Sequence, residues 1–196
     1  MEAIAGMLTG KLNQAEQDQL LNIARQALEA SVHGESLPTL PMADLSPSLT
    51  ANGASFVTLT ISGQLRGCIG ALQAYRPLAK DVQEHAVAAA LQDFRFPQVR
   101  PAELPSIDIE VSILTPAEPL DYDGPDDLIR KLKPGEDGLV LSDGYRKATF
   151  LPQVWDSLPT AEEFLSHLCM KMGAPSNLWK KEHLDVSIYH VQEFHE

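Results

Sequence analysis

The sequence predicts an α+β fold, and three observations carry that reading. Two segments open on capping-box spacings and run on as helical apolar stripes. Several others alternate apolar with polar residues in the two-residue period of a strand. The strands come mainly as hairpins with helices interspersed, unlike the strand-helix-strand rhythm of a doubly wound parallel sheet.

In chain order, Asn13 followed by Glu16 marks a helix start, and Leu20, Ala24, Ala27 and Leu28 form its apolar face until Gly34 stops it. Residues 35–55 are rich in proline, serine and threonine without periodicity and read as an irregular wrap. In "ASFVTLTI", Val57, Leu59 and Ile61 alternate with Phe56, Thr58 and Thr60, and Gly63 supplies the positive φ of a primed turn into "LRGCIG". Pro77 suits a first helical position, with Leu78, Val82, Ala86 and Ala89 on the stripe that follows. The strand "SIDIEVSIL" puts Ile107, Ile109, Val111 and Ile113 on one face, and Asp108, Glu110 and Ser112 on the other. "GLVLSDGYRKATFL" reads as a hairpin turning at Asp143 and Gly144. Thr160 and Glu163 begin another helix, whose buried face would hold Phe164, Leu165, Leu168, Cys169 and Met172, and "LDVSIYHV" closes the chain as a strand.

Composition narrows the function. The chain has 196 residues, 44% of them hydrophobic, enough for one domain or two small lobes around a real core. Its net charge of −12, with no basic run, disfavours nucleic acid. No apolar run approaches the ~20 residues of a membrane span, and "MEAIAGMLTG" lacks the pattern of a leader, so a cytoplasmic location is expected. Cys68 and Cys169 are expected as free thiols. No metal-ligand spacing, dinucleotide loop, phosphate loop or nucleophile elbow occurs, so neither metal nor cofactor is expected.

The most suggestive stretch is "GQLRGCIGAL", residues 63–72. Strand alternation puts Leu65, Gly67 and Ile69 on one face and Arg66, Cys68 and Gly70 on the other, with the Arg66 and Cys68 α-carbons about 6.6 Å apart. Arg66 could then favour the thiolate. Glycine inside a strand costs stability and marks a close approach, either of a ligand or of the protein's own helix. Glu110 is the natural carboxylate for Arg66, and would compete with the thiol for it. His85 is the histidine nearest in sequence to assist Cys68, while Asp93 and Arg95 offer a loop ion pair or a ligand contact. His167 and Lys171 face solvent by spacing.

"LRGCIG", taken with "DFRFPQV", "IEVSILTP", "GLVLSDGYRKATFLPQVW" and "FLSHLCMKMG", resembles the AMMECR domain family, also called AmmeMemoRadiSam system protein A. The resemblance runs in order from about Ser55 to the C-terminus. It implies two lobes, each with an antiparallel sheet flanked by helices, residues 1–116 with 180–196 forming the larger and 117–179 the smaller. It also implies that the hexapeptide faces a cleft between them, and a functional link to Memo-like and radical S-adenosylmethionine proteins. Two readings stay open. In one, the cleft binds a protein or other bulky ligand through Gly67, Ile69, Gly70, Asp93, Arg95, Glu110 and Arg146. In the other, Cys68 is a nucleophile and Arg66 holds an anion.

Overall fold

The computed structural model describes residues 10–196, so the segment 1–9, read above as lacking a leader, lies outside the described residues. Its chain divides into two compact units: residues up to Thr115 together with Gln192–Glu196, and Pro116–Val191. Each carries its own antiparallel sheet.

In the first unit, α1 (Gln14–His33) begins with the full capping box, Asn13 accepting the Glu16 amide while the Glu16 carboxylate accepts the Asn13 amide. It ends on Gly34 at φ 72°, a left-handed cap that suits glycine. The irregular wrap contains one helical turn, α2 (Pro47–Thr50), and yields to strand β1 (Asn52–Ile61). Ser62 and Gly63, both at positive φ, make the two-residue primed turn into β2 (Gln64–Gly70). A two-residue β3 (Arg76–Pro77) pairs with the start of β1, and α3 (Leu78–Leu91) follows with Pro77 as its N-cap. A 3-10 turn (Pro101–Ser106) leads to β4 (Ile107–Leu114), and β9 (Val191–His195) completes the sheet in the order β2-β1-β4-β9.

One face of this sheet is the core. Val57, Leu59, Ile109 and Val111 pack with Leu20, Ala24 and Leu28 of α1 and with Leu78, Val82 and Ala86 of α3, all essentially without exposure. A buried polar clamp ties α3 to β1: the Asp81 carboxylate accepts both the Ser55 amide (2.9 Å) and hydroxyl (2.7 Å), and His85 lies 3.2 Å from each partner. Two bonds to one carboxylate oxygen satisfy groups that would otherwise be stranded in an apolar core.

The second unit holds β5 (Glu118–Pro119), α4 (Pro125–Lys131), β6 (Gly138–Ser142), β7 (Lys147–Phe150), α5 (Ala161–Lys171), α6 (Leu178–Lys181) and β8 (Asp185–Tyr189). The sheet order is β5-β8-β6-β7. Leu139, Leu141 and Val186 pack with Leu165, Leu168 and Cys169, and the Trp155 and Phe164 rings stack 3.8 Å apart. Thr160 caps α5 by accepting the Glu163 amide, but Glu163 bonds the Thr160 hydroxyl and not its amide, so the box expected there is half formed.

Two expectations change at the C-terminus. "LDVSIYHV" is two strands in two sheets, broken at His190. Residues 180–191, expected with the larger lobe, belong to the second unit because β8 pairs along its length with β6.

Candidate functional site

The hexapeptide does not alternate as a plain strand. Leu59 pairs with Gly67 and Thr60 with Leu65, leaving Arg66 as the extra residue of a β-bulge. A regular two-residue hairpin would set Arg66 opposite Leu59 and turn it toward the core. The bulge instead places Gly67 there and shifts the rest of β2 by one position. Leu65, Cys68 and Gly70 consequently share the face of Thr60, Thr58 and Phe56, while Arg66 leaves it.

Arg66 therefore serves neither predicted partner. Its Nε and Nη2 bond the Glu103 carboxylate at 2.8 and 3.2 Å, on the 3-10 turn, and hold that carboxyl below its ordinary range. The expected pairing with Glu110 is corrected: Glu110 lies opposite Thr58 on β4, and its carboxylate has no ion pair with Arg66 or any other described residue. Cys68 also lies opposite Thr58, on the other side, and the Thr58 hydroxyl donates to its sulfur at 3.2 Å. Cys68, Thr58 and Glu110 thus form a row across three strands, on the face turned away from α1 and α3.

Asp93 and Arg95 reach the same spot from the edge. The Asp93 carboxylate accepts the Cys68 amide at 2.9 Å, and Arg95 donates to the Cys68 carbonyl at 3.1 Å. Arg95 also grips Asp93 through Nε (2.9 Å) and Nη2 (2.7 Å). Together the two side chains occupy the outward amide and carbonyl that a further strand would take, which blunts the sheet edge. The Arg95 guanidinium, helped by the Cys68 amide, holds the buried Asp93 carboxyl far below the usual carboxylate range. Asp93 in turn raises Arg95, and the Cys68 thiol adds a smaller electrostatic contribution. The arginine that reaches Cys68 is Arg95, through the backbone carbonyl, where alternation alone had pointed to Arg66.

The glycines make room for the protein itself. A Cβ at Gly67 would collide with the carbonyl of Ala89 on α3, and one at Gly70 with the Phe56 ring and the Ser55 carbonyl. The remaining expected residues scatter. Ile69 is half-buried against the core, and His85 is held by Ser55 and Asp81. Arg146 lies in the second unit, bonded to Asp143 and to the Gly173 carbonyl. His167 and Lys171 are exposed, although Lys171 donates to the Thr149 carbonyl. Among the described residues no group of three or more His, Cys, Asp or Glu could hold a metal ion, and no helix is long and apolar enough to cross a membrane.

Sequence reasoning missed Thr58, Glu103 and the Ser55-Asp81 clamp. Only Glu103 left a local signal: it stands three residues after Arg100 and accepts the Arg100 amide at 2.8 Å, as in a capping box.

Fold and site define a two-unit α+β protein whose most distinctive feature is a bulged, glycine-bearing edge strand presenting one thiol. The AMMECR1 family model matches residues 21–194. The chain belongs to the AMMECR1 family. It is 40% identical over 190 residues to a protein of Methanothermobacter thermautotrophicus, covering 94% of this chain and 96% of the relative. A protein of Thermofilum pendens is 37% identical over 200 residues, with 94% and 92% covered. The crystal structure of an uncharacterised protein from Pyrococcus horikoshii superposes with a TM-score of 0.81 at 32% identity, over 95% of this chain and 94% of that one. These archaeal relatives are uncharacterised, and the family's activity is not established.

Proposed function

We propose that this chain is a binding protein whose ligand, a protein or other bulky molecule, seats on the sheet face that carries Cys68, Thr58 and Glu110. One observation supports the choice of binding over catalysis: among the described residues, no carboxylate or imidazole is hydrogen-bonded to the Cys68 thiol. Its hydrogen-bond partner is the Thr58 hydroxyl, a donor, and the histidine expected to assist it is bonded elsewhere. Both nearby arginines are engaged by carboxylates. A nucleophilic thiol needs a base or an uncommitted cation beside it. Glu110, half-buried and without an ion pair among the described residues, supplies this face with an acceptor for a ligand's donor.

The second reading, a thiol enzyme, draws on the Thr58 hydroxyl donating to the Cys68 sulfur and on the Arg95 guanidinium held at the Cys68 carbonyl. Alkylation of the intact chain separates the two. Modification of Cys68 at neutral pH no faster than free cysteine supports binding, and a rate many times faster puts the enzyme ahead. Cys169 serves as the internal control, since burial raises its thiol and should leave it unlabelled in the folded chain. Mass spectrometry of ligands retained by wild type but lost from Glu110→Gln supports the binding face. Equal retention by both overturns it.

A further inference from the structure

A second surface lies beside this face, and its assignment requires neither Cys68 nor Glu110. In the loop 92–100 the Phe94 ring is 96% exposed, between two residues that are both fixed. Asp93 and Arg95 are bonded to each other and to the Cys68 backbone. The loop is tied down further by the Phe96 amide on the Asp93 carbonyl (3.1 Å) and the Val99 amide on the Ala90 carbonyl (2.9 Å). The ring is therefore held out into solvent by its own scaffold and can make contact without ordering the backbone, which removes much of the entropic cost of association.

Charge says what it meets. The loop exposes Arg95 and Arg100 and no carboxylate; Asp93 is buried and offsets the Arg95 charge, so the net positive charge of the loop rests on Arg100, with the half-exposed Arg95 guanidinium beside it. Glu103, just beyond the loop, is likewise engaged by Arg66. In a chain of net charge −12 this is a local reversal of sign, built around the most exposed ring of the first unit's described residues. A second copy, equally acidic overall, is opposed by that charge. We propose that the loop is a docking surface for a partner protein that offers an apolar residue flanked by carboxylates, Phe94 providing the contact area and Arg95 and Arg100 the rim that selects acidic sequences.

The probe is a random twelve-residue peptide library panned against the full chain. The expected result is enrichment of peptides with an aromatic or large aliphatic residue among aspartates and glutamates. Binding of those peptides should fall about tenfold or more in Phe94→Ser. It should weaken severalfold in Arg100→Gln and in high salt, with circular dichroism and thermal midpoint unchanged in both variants. No enrichment, enrichment of peptides without carboxylates, or full binding by Phe94→Ser overturns the proposal. Sedimentation showing a wild-type dimer that Phe94→Ser abolishes overturns it in favour of a second copy. Glu110→Gln should bind the peptides normally, so failure here and failure of the sheet-face reading are separate results.

Discussion

At the scale of single residues, the two glycines of the hexapeptide show how one signal admits two causes. Both readings required the absence of a side chain, and the atoms that fill its place are the protein's own. Valine at either position therefore has no space. Gly67→Val meets a helix backbone carbonyl, and Gly70→Val meets a ring and a strand carbonyl. Each should destabilise by roughly 1 to 3 kcal/mol, with expression and thermal midpoint falling together, as a denaturation curve would read. Asp93 makes a prediction of opposite sensitivity. Its folded carboxyl is held below its unfolded value near 3.9, so the stability it contributes is complete above about pH 4 and drains away as pH falls through the depressed value. Thermal midpoints of wild type and Asp93→Asn should differ most at neutral pH and converge as pH drops below about 4. A gap that stays constant would show that the Asp93 carboxyl titrates alike in the folded and unfolded chains. The same construction recurs in the second unit. Asp143, lowered to about 2 by the amide and guanidinium of Arg146, braces the hairpin tip on which Tyr145 is 99% exposed. Its brace should loosen only as pH falls from about 4 toward 2, visible in the Tyr145 amide resonance.

At the scale of elements, the bulge at Arg66 decides more than any other local feature. An unbroken hairpin places Val57 opposite Cys68. The extra residue places Thr58 there, which creates the hydroxyl-to-thiol bond and the row that reaches Glu110. The bulge also takes the Arg66 guanidinium from the place opposite Leu59 to the Glu103 carboxylate, where the charge of a largely buried side chain is paired. Arg66→Ala removes the partner of a partly buried carboxylate that also caps the 3-10 turn. The expected loss is about 1 to 2 kcal/mol, measured by urea unfolding, with faster hydrogen exchange in the 3-10 turn. Glu103→Ala should produce a loss of similar size, and little further loss when combined with Arg66→Ala, since the two share one interaction.

At the scale of the whole molecule, the two units differ in how the chain builds them. Pro116–Val191 is continuous, with its own sheet and its own buried core. The first unit is discontinuous, because its sheet takes β9 from the far end of the chain. A fragment of residues 116–191 should therefore unfold cooperatively by itself, whereas residues 10–115 alone should be markedly less stable than the same unit in the intact chain. Calorimetry of the two fragments checks this, and a fragment 116–191 without a cooperative transition would refute it. The sequence alone determined the α+β class, the helix α1 with its capping box, the core faces of β1 and β4, and the buried position of Cys169. All of these follow from periodicities and caps that span a few neighbouring residues. Only the tertiary structure decided that Arg66 turns to Glu103, that Asp93 and Arg95 close the edge of β2, and that the final strand divides between two sheets. Each of these is a choice among partners far apart in the chain, made by burial and charge pairing across elements, and no local pattern of residues records which partner wins.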